Sequence, residues 1–229
     1  MKKNYVILIV FLILVCYFLF KLTALNYYGI STPKNEPVEI DQLEIEHVEL
    51  QSDYITFGKV KFKDVLNGYT ISKEEKVFRA INLKNDVWTS GLQILIYPSF
   101  YNSLKEPDVY NNRISKRNID NFFKQNNINN ELDLYDFVYT AKYSDIKLFD
   151  SHKKMKDSFI KNILNFQIKM DAYKVGFIKE PYQAVVIYSK ESISIILIVE
   201  NEIYNINLSG EELTSEEVIK DFLNTLSVN

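Results

Sequence analysis

The chain has 229 residues, 27 Lys and Arg against 30 Asp and Glu, a net charge of −3, and a single cysteine, Cys16. One cysteine excludes a disulfide scaffold, so the fold must be held by burial alone. The acidic balance lacks the basic face that nucleic acid requires, and no nucleic-acid partner is expected.

Residues 5–20 read YVILIVFLILVCYFLF, 16 apolar residues with no charge, Gly or Pro, behind Lys2 and Lys3. As a helix they span about 24 Å at about 1.5 Å per residue. Leu22–Leu25 extend the run towards the thickness of a bilayer core, with Lys21 snorkelling outward. The run predicts an N-terminal transmembrane helix within residues 1–25. The preceding lysines keep the N-terminus cytoplasmic and place the rest of the chain outside. A cleaved signal peptide is the rival reading, with Leu22-Thr23-Ala24 as a weak cleavage site. Cys16 follows bulky Val15 and reads as a lipid-facing thiol rather than a lipidation site. Beyond residue 25 the charges number 24 basic against 30 acidic, a net −6, which argues against further contact with anionic headgroups.

Residues 26–37 read as a juxtamembrane spacer broken by Gly29, Pro33 and Pro37. The expected extracytoplasmic domain covers 38–229. Val38–Leu50 has the pairwise alternation of a bulged strand and an acidic row, Glu39, Asp41, Glu44, Glu46 and Glu49. Ile55–Val65 alternates as one strand, and Asn67-Gly68 predicts a hairpin joining it to Tyr69–Ser72. Glu74–Leu83 is ambiguous, with strand favoured at Val77–Ile81. Leu92–Tyr97, stopped by Pro98, reads as a central strand. Residues 102–131, rich in Asn, suggest a joint between two lobes, with Ile119, Phe122 and Phe123 forming one short helical face. Leu134, Phe137, Val138 and Ala141 mark one helix, and Met155, Phe159, Ile160, Ile163 and Leu164 another. Tyr182–Tyr188, Ile193–Val199 and Ile203–Leu208 form a three-stranded meander. Thr214-Ser215-Glu216-Glu217 is a capping box opening a helix to about Ser227, with Leu213 and Val218 as its staple. The fold class is therefore α+β: an N-terminal transmembrane helix, mostly antiparallel sheet, central helices and a C-terminal meander plus helix.

Chemistry is sparse. His47 and His152 are the only histidines, and no His-x-x-x-His pair exists, so no metal or cofactor is expected. The six glycines, 29, 58, 68, 91, 176 and 210, write neither a P-loop nor a dinucleotide fingerprint. Ser72-Lys73 and Ser189-Lys190 read as solvated turn pairs. Paired carboxylates remain open, because 30 acidic residues form many pairs by chance. The aromatics Trp88, Phe100 and Tyr101, with Tyr97, read either as a docking patch or as core. The expected role is non-catalytic binding of an envelope protein by a membrane-anchored domain, as an accessory subunit or as an inhibitor or immunity protein. The alternative is an envelope hydrolase acting on glycan or peptide through carboxylates or a Ser-Lys pair.

Overall fold

The computed structural model describes residues 11–22, 38–46, 48, 53–84, 87–106, 115–141, 150–168 and 170–228, excepting the side chains of residues 166 and 167. The spacer, most of residues 47–52, and residues 1–10 and 23–25 of the anchor prediction, with Thr23 and Ala24 of the cleavage-site reading, lie outside the described residues. The chain divides into two compact units: residues 1–36 with 140–169, and residues 37–139 with 170–229. The 102–131 segment lies inside the second.

The first unit holds helix α1 (residues 11–22) and helix α5 (His152–Ile168). In α1, Phe11, Leu12, Ile13, Leu14, Tyr17, Phe18, Leu19 and Phe20 are all exposed, so apolar side chains surround the helix rather than forming a stripe. No described helix is long and apolar enough to cross a membrane; α1 as described covers residues 11–22 of the predicted span. Lys21 does not extend freely outward. It is buried, and its ammonium donates to the Asp150 carbonyl just ahead of α5.

The second unit is α+β with mostly antiparallel sheet. Its strands are β1 (Glu39–Gln42), β2 (Tyr54–Phe57), β3 (Val60–Lys63), β4 (Thr70–Lys73), β5 (Val77–Lys84), β6 (Val87–Pro98), β7 (Lys174–Ile178), β8 (Gln183–Tyr188), β9 (Ser192–Val199), β10 (Glu202–Ser209) and β11 (Ser227–Val228). Its helices are α2 (Phe100–Ser103), α3 (Lys116–Gln125), α4 (Glu131–Thr140), α6 (Glu211–Thr214) and α7 (Glu216–Thr225). Eight strands form one sheet in the order β1-β7-β8-β9-β10-β6-β5-β4, and β11-β3-β2 form another. Among the described residues only β1 pairs in parallel, with β7; the other ladders are antiparallel.

The meander β8-β9-β10 forms as the alternation predicts, and β6 joins it in the middle of the large sheet. Two local predictions change. The Ile55–Val65 strand is a hairpin: it folds at Gly58 (φ 59°), which brings Phe57 opposite Val60. The Asn67-Gly68 turn exists, but β3 and β4 do not pair across it; they belong to different sheets. Hydrophobic faces explain both. Ile55, Phe57, Val60 and Phe62 bury against the large sheet, so the hairpin stacks on that sheet instead of extending it. The cap of α7 is one residue later than the Thr214–Glu217 box predicts: Thr214 ends α6, its hydroxyl donating to the Gly210 carbonyl at 3.0 Å, and the Ser215 hydroxyl accepts from Val218 N–H at 3.4 Å. The helix then stops at Thr225, releasing β11 to pair with β3.

One core joins these parts. Alternate residues of the large sheet, among them Phe78, Ile94, Val186, Ile195, Leu197 and Ile206, face the small sheet and the Ile219, Phe222 and Leu223 side of α7. Val175, Phe177, Val185, Ile187 and Ile196 point to the opposite face and are buried as well. A Cβ added at Gly58 would stand 2.6 Å from the Tyr204 hydroxyl, which accepts the Lys59 N–H at 3.0 Å. Gly58→Ala is expected to cost about 1–3 kcal/mol, from left-handed backbone strain together with that clash. A urea denaturation midpoint indistinguishable from the parent would refute it.

Candidate functional site

Two surfaces of the second unit carry the sequence-derived candidates and one feature the sequence did not reveal. The first surface is the β5–β6 end. The ladder shifts register between Asn82 and Leu83, so that Leu83 faces Trp88 and Lys84 faces Val87. The shift turns Trp88 to the face that carries Gly91. The lack of a side chain there leaves room for the indole, since a Cβ on Gly91 would lie 3.3 Å from Trp88 Nε1. Leu83, Val87 and Trp88 are 55%, 65% and 52% exposed, and Ile81 beside them is 38% exposed. Ile81, Leu83 and Trp88 share one face and form a patch there, while Val87, paired with Lys84, projects from the other face.

Phe100 and Tyr101 are elsewhere. They follow the other end of β6, beyond Pro98, about 33 Å along the strand from Trp88 at about 3.3 Å per residue. Tyr101 is half-buried: its ring stacks on Phe123 at 5.4 Å and 12°, and the Lys105 ammonium stands 3.7 Å from its centroid. Phe122 meets Phe137 edge-on at 5.5 Å, tying α3 to α4. Trp88 and the Phe100–Tyr101 pair are thus not one patch.

Glu131 organises the Phe100–Tyr101 end. Its Oε2 accepts from the Ser99 hydroxyl at 2.6 Å and the Tyr101 N–H at 2.9 Å, so a buried carboxylate closes the first turn of α2. Oε1 has no partner among the described residues. Burial pushes the Glu131 carboxyl up from its ordinary range, and the hydrogen bonds oppose that shift. At the other end of α4, the Tyr139 hydroxyl accepts the Met170 N–H at 3.1 Å.

The second surface is a cleft of about 420 Å³ between α7, the 43–45 strip after β1, and the ends of β7, β8 and β9. Gly176 lies under this strip: a Cβ there would meet the Leu43 side chain, 2.7 Å from its Cγ, so a larger residue makes that side chain shift. The rings of Tyr173 and Tyr188 face each other at 6.4 Å on one wall. Lys174 reaches Asp41 at 2.6 Å and Glu39 at 3.4 Å, and the hydrogen bond to Asp41 chiefly raises its pKa. Burial raises the Tyr188 hydroxyl, and the Glu216 and Asp41 charges add to the shift. Glu44, Glu216 and Lys220 complete a charged rim over an apolar floor of Ile193, Ile219 and Leu223. Its size and its mixture of apolar floor and convergent polar groups suit ligand binding. Sequence reading placed Tyr188 on a strand and Glu44 in an acidic row but missed β7. The isolated glycine within KVGFI was the available sign of a close approach.

Among the described residues, no group of three His, Cys, Asp or Glu is placed to hold a metal ion.

No protein-family model matches the chain, and no curated protein matches it. A solved structure from Bacteroides thetaiotaomicron VPI-5482 is similar at 13% identity and a TM-score of 0.30, over 79% of this chain and 49% of that one. The chain therefore spans about half the length of that neighbour.

Proposed function

We propose that the protein is a single-pass, membrane-anchored domain that binds another protein of the cell envelope without catalysis. It serves as an accessory subunit or as an inhibitor or immunity protein. The apolar run of residues 5–25 is the anchor, the N-terminus is cytoplasmic and residues 38–229 are extracytoplasmic. The all-round apolar surface of α1 supports the anchor. Anchoring raises the effective concentration of the domain for membrane neighbours.

The observation that carries the binding role is the exposed patch of Ile81, Leu83 and Trp88 on one face of the β5–β6 end. Trp88 is the only tryptophan, so its emission reports this patch alone. A photo-crosslinking residue is placed at Trp88, at Tyr101 and at exposed Lys190 in native membranes. Position 88 is expected to yield one stoichiometric adduct that Lys190 does not. Identical products at all three positions would end the reading. Trp88→Ala should cost about 1–2 kcal/mol, less than the about 3–5 kcal/mol of a fully buried aromatic, since the side chain is half exposed. A larger loss in thermal unfolding would return the residue to a packing role.

The hydrolase alternative has one observation in its favour: Glu44 and Glu216 line the same cleft. Glycan or peptide turnover abolished by Glu216→Gln would support it, and unaffected turnover would remove this pair from consideration.

A further inference from the structure

The charge of the chain is segregated between its two units. By sequence, residues 1–36 and 140–169 together hold 11 Lys and four acidic residues, a net +7. The other unit holds 16 basic and 26 acidic residues, a net −10. The whole-chain value of −3 conceals this division.

Among the described residues, four of these lysines, Lys21, Lys153, Lys154 and Lys156, lie where the apolar helix ends. Lys21, in the last turn of α1, donates to the Asp150 carbonyl, and the Phe20 ring lies 6.5 Å from that of His152. Helix α5 therefore starts against the end of α1. Its first two turns carry Lys153, Lys154 and Lys156, with Lys161 one turn further on. Lys153 is exposed, and Lys154 bridges back to Asp150 at 3.0 Å.

We infer that α5 rests its lysines on an anionic bilayer surface beside the anchor, the inference resting on the anchor reading proposed above. The potential of an anionic leaflet decays within a Debye length of about 8–10 Å, so only charge held at the end of the anchor feels it. The contact between α1 and α5 supplies that placement; among the described residues of the unit Lys21, Lys153, Lys154, Lys156 and Lys161 stand against Asp150 and Asp157, a net +3, which supplies the complementary sign. A transmembrane helix and a basic segment beside it attract the bilayer by two independent terms, hydrophobic and electrostatic.

The full chain is reconstituted in nanodiscs of phosphatidylcholine, with or without about a third phosphatidylglycerol. Reductive methylation of lysines is read by mass spectrometry, normalised to Lys190. Methylation of Lys153 and Lys156 is expected to slow on the order of fivefold in the anionic discs and to recover in high salt. In a Lys153→Glu, Lys156→Glu variant, Lys161 is expected to lose the anionic-disc slowing it shows in the parent chain. Its rate in zwitterionic discs should stay that of the parent, which reports an intact fold. Equal rates in both lipids overturn the inference, as does equal slowing by soluble heparin in zwitterionic discs, which would assign the lysines to a polyanion. Flotation with phosphatidylcholine vesicles in high salt tests the anchor separately. Its failure alongside salt-sensitive flotation on anionic vesicles would sink the anchor and leave this contact standing.

Discussion

Phe62→Ala is expected to lower the stability of the second unit by about 3–5 kcal/mol, the range for truncating a fully buried aromatic. Phe62 is 0% exposed and lies on β3 where three parts of the core meet. Its ring packs edge-on against Phe78 of the large sheet at 6.2 Å and tilted against Phe222 of α7 at 5.2 Å. Removing it leaves a cavity between the two sheets and beside the helix, and well-paired ladders on both sides limit the collapse that would fill it. Against a typical total of about 5–15 kcal/mol, the loss is a large fraction. Urea denaturation of the full chain in mild detergent should show a lower midpoint at an unchanged slope. Phe62→Leu, which keeps most of the volume, should cost less, about 1–2 kcal/mol. If Phe62→Ala matches an exposed substitution, the small sheet is not part of the cooperative core.

The second large effect is at Glu131, where two substitutions separate hydrogen bonding from charge. Glu131→Ala leaves the Ser99 hydroxyl and the Tyr101 N–H without their acceptor, at an expected cost of about 1–3 kcal/mol. Glu131→Gln keeps an acceptor and removes the charge. Burial raises the carboxyl pKa above its ordinary 4.5, so the folded state favours the protonated form. Above the raised value the carboxylate is charged in both the folded and unfolded chains, and folding carries the full desolvation cost. As pH falls through the raised value towards 4.5, the folded chain takes up its proton first and the cost disappears. Glu131→Gln should therefore be at least as stable as the parent near pH 8, with its advantage shrinking to nothing below about pH 4.5. Chemical denaturation of both chains across that window measures the difference. A gap that widens on acidification would mean that the hydrogen bonds, not burial, dominate the carboxyl.

The exposed end of β6 and the buried end illustrate why the aromatic residues could not be sorted from the sequence. Trp88 and Tyr101 are both aromatic residues near the ends of one apolar strand. A register shift at Asn82–Leu83 turns Trp88 outward, whereas Phe123 and Lys105 enclose Tyr101 from two sides. Neither the register nor the distant ring is visible in local alternation. The cleft was hidden for the same reason: its walls come from residues 43–45, 173–193 and 214–224, which only the parallel β1–β7 pairing and α7 bring together.

Local periodicity determined the strands from β5 to β10 other than β7, the helical faces of α3 and α5, and the start of α7 to within one residue; in α4 it caught Leu134 and Val138 but missed the buried Leu132, Tyr135 and Tyr139. Each rests on interactions between near neighbours: side-chain alternation, a turn's stacking, or a hydroxyl on the next turn's amide. Composition determined that no disulfide could hold the domain and that the N-terminal run would be apolar on every side. Partner strands, the stacking of the 54–63 hairpin on the large sheet and the face on which Trp88 lies were decided by tertiary structure, because burial is a property of what packs against a residue. Charge shows this most plainly. Summed along the exported chain it is −6, which argues against anionic headgroups. Residues 140–169 within it hold seven Lys against three Asp, a net +4, and α5 starts against the end of α1; electrostatic potential follows distance in space rather than in sequence.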